Sequence, residues 1–154
     1  MTTLARRDVT ATDWPRILEL ANASVSHVPG AGTQEEWYEN RRSFDSSSGT
    51  QDHYVFEDSE RGEIVGYGGV EMTPNGEFRM FIVTLPQLLE TVGERLFQEN
   101  LELAKIRGAE RVWFTEYVDD TVLVEFAKAR DFMELGRIRL DEGVEAITLM
   151  KRLS

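Results

Sequence analysis

Three strand-like runs follow one another with only enough chain between them to reverse direction. They are His53 to Glu57, Glu63 to Met72 and Glu77 to Thr84, joined by Ser59-Glu-Arg-Gly62 and Thr73-Pro-Asn-Gly76. Turns this short join antiparallel neighbours, whereas parallel strands need a much longer crossover. The stretch is an antiparallel meander, which excludes an all-helical or an all-parallel fold.

The flanks of the meander are helical on both sides. Leu4 to Val9 reads as a short first strand, and Thr10-Ala-Thr-Asp-Trp-Pro as a helix start. There Thr12 can cap, Asp13 suits the positive end of the helix dipole, and Pro15 is tolerated in the first turn. Ile17, Leu18, Leu20 and Ala21 follow at helical spacing, up to Pro29-Gly30-Ala31-Gly32. Thr33-Gln-Glu-Glu36 is a capping-box pattern that opens a second helix through Trp37 and Tyr38 to about Phe44. The Ser-rich stretch from Asp45 to Asp52 reads as an exposed, mobile loop.

After the meander, Pro86 to Arg107 carries Leu88, Val92, Leu96, Phe97, Leu101, Leu103 and Ala104 at helical spacing, and Gly108 ends it. Arg111 to Tyr117 has the apolar and aromatic content of a buried strand. Asp119-Asp120 starts a helix through Leu123, Phe126 and Ala127, and Phe132 to Leu140 and Ala146 to Leu153 are two closing strands. No repeat or linker divides the chain, so residues 1–154 are expected to form a single domain.

Composition narrows the partners. Seventeen Lys and Arg against 28 Asp and Glu leave a formal net charge of -11. Nucleic acid and anionic membranes need a basic surface and are therefore disfavoured, while the acidity either attracts a cationic substrate or serves only to keep the protein soluble. There is no cysteine, which removes disulfides, thiolate metal sites and a cysteine nucleophile. His27 and His53 are too far apart for a recognisable metal motif, and both read as surface or loop residues. The N-terminal stretch is polar and charged, unlike a signal peptide, and no apolar run is long enough to span a membrane. A cytoplasmic protein is the expectation.

The order of elements, with several local patterns, resembles the GNAT superfamily of N-acetyltransferases. Arg7-Asp8-Val9-Thr10-Ala11-Thr12-Asp13 is similar to the family's first strand and helix entry. Gly62-Glu-Ile-Val-Gly-Tyr-Gly-Gly69 resembles its third strand, and Ala104-Lys-Ile-Arg-Gly-Ala109 the end of its long third helix. Asp119-Asp120 with Phe126 and Phe132 resembles its last helix and the "F-Y-x-x-x-G-F" close, and Leu149-Met-Lys-Arg-Leu153 its ending. The resemblance covers almost the whole chain. It implies an α/β GNAT fold, a mixed and mostly antiparallel sheet with helices on both faces, whose parallel strands around Ile82 and Val112 splay apart.

The resemblance also implies acetyl-CoA as cosubstrate and an amine acceptor. Backbone groups of Phe81, Ile82 and Val83 would pair with the pantetheine arm. The family's phosphate loop, Gln/Arg-x-x-Gly-x-Gly/Ala, falls on Leu88-Leu-Glu-Thr-Val-Gly93, where only Gly93 matches. Leu88 stands in the basic or amide position, Thr91 in that of the first glycine, Val92 precedes Gly93, and Glu90 and Glu94 add negative charge. Two structures suit these residues. Either Thr91 caps a helix behind a surviving loop, or the helix runs straight through from Pro86 with Leu88, Leu89 and Val92 as packing residues. Asp120 falls where the family has an asparagine that contacts the cofactor. Ala127 replaces the tyrosine that protonates the departing thiolate, and Tyr117 is the substitute at hand. Glu77 is the candidate base, with Glu71 and Glu116 as further strand carboxylates, and Trp37, Tyr38 and Phe44 would line the substrate side.

Two functions fit. One is an acetyl-CoA-dependent N-acetyltransferase of a small-molecule or peptide amine. The other is a GNAT-fold domain that has lost catalysis and serves as a binding or interaction module, as Leu88, Thr91 and Ala127 suggest. The sequence names neither the acceptor nor the oligomeric state, and a homodimer is one of the states it allows.

Overall fold

The computed structural model describes residues 3–23, 51–118, 120–139, 143 and 145–153. The expected second helix around Trp37, Tyr38 and Phe44, the loop before Asp52, and His27 lie outside the described residues. Among the described residues, seven strands form one sheet in the order β1-β2-β3-β4-β5-β7-β6. They are β1 (Leu4–Arg7), β2 (Gln51–Asp58), β3 (Glu63–Met72), β4 (Phe78–Thr84), β5 (Arg111–Tyr117), β6 (Met133–Arg139) and β7 (Glu145–Arg152). The expected meander is β2-β3-β4, antiparallel throughout. β4 and β5 are parallel, and every other neighbouring pair is antiparallel.

Helix α1 (Trp14–Ala23) covers one face, packing Trp14, Ile17 and Leu20 against Val55, Tyr67, Phe81 and Val83. Helices α2 (Glu94–Ile106) and α3 (Thr121–Lys128) cover the other, with Leu96, Phe97, Leu123 and Phe126 over Tyr54, Ile82, Phe114 and Leu149. The alternation of strand side chains divides the two cores, since successive residues point to opposite faces. No helix among the described residues is long and apolar enough to cross a membrane. β6 is exposed along its whole length, and as an edge strand it carries Glu134, Arg137 and Arg139, charges that discourage edge-to-edge association.

The entry to α1 differs from the expectation. A 3₁₀ turn over Ala11–Asp13 moves the start two residues upstream, so Thr10 stands in the capping position expected of Thr12. The Asp13 carboxylate takes the Thr10 amide at 2.7 Å and grips Arg7 through both terminal nitrogens at 2.8 and 2.9 Å. Arg7 Nε reaches Glu57 at 2.6 Å, so one guanidinium ties β1, β2 and the helix entry together. The Arg7 hydrogen bonds hold the Asp13 carboxyl down at about 2.

α2 lies close to β3 because Gly66 and Gly68 have no side chains on that face. A Cβ at Gly66 would stand 2.7 Å from Val92, and one at Gly68 would stand 2.8 Å from the Tyr54 hydroxyl. The close approach buries Asn100 completely on the apolar stripe of α2. Tyr54 donates its hydroxyl to Asn100 Oδ1 at 2.7 Å, and Asn100 Nδ2 donates to the Phe81 carbonyl at 3.0 Å. Burial pushes the Tyr54 phenol well above its ordinary range, so it remains a neutral donor. α3 ends in a double backbone cap, with Phe132 N to Ala127 O and Asp131 N to Lys128 O both at 3.1 Å, which leaves Asp131 at φ 70.

Two stability outcomes follow from these contacts. Asn100→Ala removes a buried donor to the Phe81 carbonyl and a buried acceptor of the Tyr54 hydroxyl, and should cost about 1–3 kcal/mol in urea unfolding. A loss no greater than that of an exposed Gln98→Ala control would show the bridge to be idle. Asp131→Gly relieves a left-handed backbone that side chains resist, and should raise stability by about 0.5–1 kcal/mol. An unchanged or lower midpoint would mean that Asp131 gains locally what its conformation costs.

Candidate active site

β4 and β5 meet at one ladder pair, Arg79 with Trp113. Arg79 also stacks over the Trp113 ring at 5.7 Å and holds the largely buried Glu71 through its Nε at 2.6 Å. Beyond this lock, toward the C-terminal ends of both strands, no further pairing joins them. The expected splay is therefore present. β3 supplies a full ladder to the other edge of β4, and β7 does the same for β5.

The gap runs under α2 and α3, the connections that leave the C-terminal ends of β4 and β5. The Asn100 bond shows that the Phe81 carbonyl points into it. Strand alternation then turns the Val83 peptide groups into the gap as well, and turns those of Ile82 toward Gly68 on β3. Of the three expected backbone partners, Phe81 and Val83 face the opening and Ile82 does not. The Phe81 carbonyl already has one donor.

The expected phosphate loop is helical. A 3₁₀ turn over Pro86–Leu88 and a π turn over Leu89–Gly93 lead directly into α2. The run is helical as in the straight-through reading, but its backbone breaks at Leu88 (φ -104, ψ 6) between the two turns, and Thr91 lies inside the π turn and is not a cap. The turns use some of the donors that an anion would need. Pro86 has no N–H, the Leu88 amide bonds Leu85 O at 2.9 Å, and the Leu89 amide bonds Pro86 O. Gly93 is itself helical, at φ -59, and its open side is filled: a Cβ there would lie 2.7 Å from Leu89 and 3.7 Å from Phe126. Leu88 packs against the core, Val92 is buried, and the hydroxyl of exposed Thr91 reaches back to Leu88 O at 3.3 Å. Where a pyrophosphate needs donors, Glu90 and Glu94 present carboxylates. These residues do not fit the pyrophosphate of acetyl-CoA.

At the open end of the gap, Tyr117 ends β5 and is half-buried, and Asp120 precedes α3. Asp120 Oδ2 is buried and has no hydrogen-bond partner, an uncommon state for a carboxylate. Glu116 is wholly buried on the α2 side of β5, where its Oε1 accepts the Tyr117 amide at 2.9 Å. Ala127 is wholly buried and provides no donor. The structure thus brings Tyr117, Asp120 and the peptide groups of Phe81 and Val83 to one end of the sheet.

Glu77 is not among them. It sits just before β4, beyond the closed end of the gap, in a fork with Arg111 at 2.7 and 3.2 Å. It lines a hollow of about 620 Å³ with Phe78, Gly108, Arg152 and Leu153. The Arg111 hydrogen bond lowers its carboxyl below the usual glutamate range. A base for an amine needs a raised pKa and a place beside the reacting atoms, and Glu77 has neither. His53, read as a surface or loop residue, is a half-buried residue of β2 whose Nδ1 lies 2.9 Å from the Tyr67 hydroxyl.

Two residues at this end carried no expectation, Asn100 and Arg130. Asn100 had a signal, because it is four residues from both Leu96 and Ala104 on the apolar stripe. Arg130 had none, because its carboxylate partners, Glu90 and Glu94, lie 40 and 36 residues earlier in the chain, before and at the start of α2.

No family model and no curated protein sequence matches the chain. Solved structures do match. An acetyltransferase of the GNAT family from Streptococcus pneumoniae, 18% identical, covers 98% of this chain and 100% of its own, with a TM-score of 0.72. YncA from Salmonella typhimurium, solved with its cofactor acetyl-CoA, is 13% identical over 99% and 95% of the two chains, with a TM-score of 0.72. A mutant of spermidine N-acetyltransferase SpeG from Vibrio cholerae is 15% identical over 97% and 93%, also with a TM-score of 0.72. With its sheet opened between two central parallel strands and these likenesses spanning nearly its whole length, the chain has the fold of the GNAT acetyltransferases.

Proposed function

We propose that the protein is a cytoplasmic N-acetyltransferase that moves an acetyl group from a pantetheine thioester, acetyl-CoA, to a cationic amine. The observation that carries this reading is the gap between β4 and β5, with the peptide groups of Phe81 and Val83 turned toward it. A pantetheine arm is an extended chain with two amides, and it can add to a strand edge as a peptide does. Such pairing uses backbone and tolerates the altered side chains around it.

In this reading the ammonium acceptor first gives a proton to water, the neutral nitrogen attacks the thioester carbonyl, the carbon–sulfur bond breaks, and the sulfur leaves as a thiolate. The second proton of the attacking amine passes to water at the open end of the gap. A thiol has a pKa of about 8.5, so a thiolate is a tolerable leaving group without an acid. Tyr117 is the candidate to protonate it, since Ala127 has nothing to give. The net charge of -11 draws cations, which suits a polyamine such as the substrate in the name of SpeG, or a basic peptide.

A second reading rests on Ala127 and on the helical run from Pro86 through Gly93: a module that binds a thioester or a related ligand without turning it over. Binding heat without thiol release for any amine selects it.

With acetyl-CoA at millimolar level, amine-dependent thiol release should favour spermidine and lysine-rich peptides over acidic amino acids. The preference should shrink as ionic strength passes about 0.15 M, where the Debye length is about 8 Å. No thiol release and no thermal shift with either acetyl-CoA or acetyl-pantetheine would remove the thioester reading. Glu77→Gln should keep turnover within about twofold from about pH 6 to 9, whereas losing a true general base costs ~10²–10⁴-fold. A large loss near neutral pH would return Glu77 to the chemistry.

A further inference from the structure

We infer that Glu90, Glu94 and Arg130 decide donor recognition by closing the nucleotide end of the site, so that the thioester is held by its pantetheine arm alone. The inference rests on the thioester reading above and adds which part of the donor the protein grips.

Arg130 follows α3 and lies across the start of α2. Its Nε pairs with Glu94 Oε2 in a very short contact, and its Nη2 stands 3.7 Å from Glu90 Oε2. Its Nη1 donates to the Phe126 carbonyl at 3.0 Å, and the guanidinium carbon sits 3.4 Å from the centre of the Phe126 ring. The Arg130 carbonyl accepts Lys151 Nζ at 2.9 Å, which fixes the backbone behind it. This guanidinium pairs with both carboxylates of the run that stands in the phosphate loop's place, and a carbonyl and an aromatic face engage it as well.

The group of Glu90, Glu94 and Arg130 has a net charge of -1. A pyrophosphate brings further negative charge to a place where the Leu88 and Leu89 amides are already bonded, Pro86 has none, and Leu89 fills the space beside Gly93. Anion binding at a helix start depends on free N–H groups and positive potential, and here both are reduced. The gap is untouched by these residues, so the two ends of a donor meet opposite conditions. A thioester without a nucleotide loses nothing, and the nucleotide of acetyl-CoA adds no affinity.

Calorimetry with acetyl-CoA and acetyl-pantetheine, on the wild type and on a Glu90→Gln, Glu94→Gln double variant, tests this. Gln keeps the shape of both side chains but removes their charge and one acceptor oxygen of each, and thermal melts confirm that the variant is folded. In the wild type the two donors should bind within about threefold of each other, with acetyl-CoA helped slightly by added salt, because salt screens repulsion. In the double variant Arg130 is released from its carboxylates, so acetyl-CoA should bind about tenfold tighter and now weaken with salt, while acetyl-pantetheine is unchanged. The inference is overturned if the wild type binds acetyl-CoA at least about tenfold tighter than acetyl-pantetheine with affinity falling as salt rises. It is overturned equally if the folded double variant binds acetyl-CoA no better than the wild type. Failure of both donors to bind the wild type removes the thioester reading itself, and the inference with it.

Discussion

The parallel strands β4 and β5 are joined at Arg79 and Trp113 and nowhere further along, and the whole site depends on that partial join. Each strand has a complete antiparallel ladder on its other side, with β3 and β7 respectively. The two halves of the sheet therefore satisfy most of their backbone groups without each other, and the sheet's twist can open between them at little cost. At the closed end Glu71, Arg79 and Trp113 make a lock of charge and aromatic contact. At the open end the peptide groups left over must find other partners, because buried backbone polar groups are costly when unpaired.

Asn100 is one such partner, and it explains why a polar residue occupies the apolar stripe of α2. Its two ends join Tyr54 on β2 to Phe81 on β4, so the helix is bonded to the sheet as well as packed on it. The bridge requires α2 to lie very near β3, which Gly66 and Gly68 permit. The backbone facing the gap is thereby held still, as a surface that pairs with an extended ligand must be.

The same helix accounts for the altered nucleotide end. Leu88, Leu89 and Val92 add apolar packing below the start of α2, and the 3₁₀ and π turns from Pro86 to Gly93 are the conformation that lets them do so. A phosphate loop needs open space and unbonded amides, and packing of this kind removes both. Stability of the helix start and affinity for an anion there compete for the same residues.

The fold was legible to a large extent. Turn chemistry at Ser59–Gly62 and Thr73–Gly76, alternation along Val112, Phe114 and Glu116, and helical spacing from Leu96 to Ala104 are local patterns of neighbouring residues. Each forms under local rules that the sequence displays, and the inward side of Glu116 was readable from its strand alone. The entry to α1 was misread by two residues because Thr10 and Thr12 are equally good caps, and the choice went to the one from which Asp13 also reaches Arg7.

What the sequence determined by itself was the order of elements, the antiparallel meander and the change at the phosphate loop, because these depend on residues close together in the chain. What only the tertiary structure decided was which charges and amides meet. Glu77 pairs with Arg111 across 34 residues, Arg130 with Glu94 across 36, and Asn100 with Phe81 across 19. Side chains such as these have several partners of equal chemistry in a chain with 28 acidic and 17 basic residues. Coulombic attraction and hydrogen bonding do not distinguish among them until the crossovers between β4, α2, β5 and α3 have set the distances.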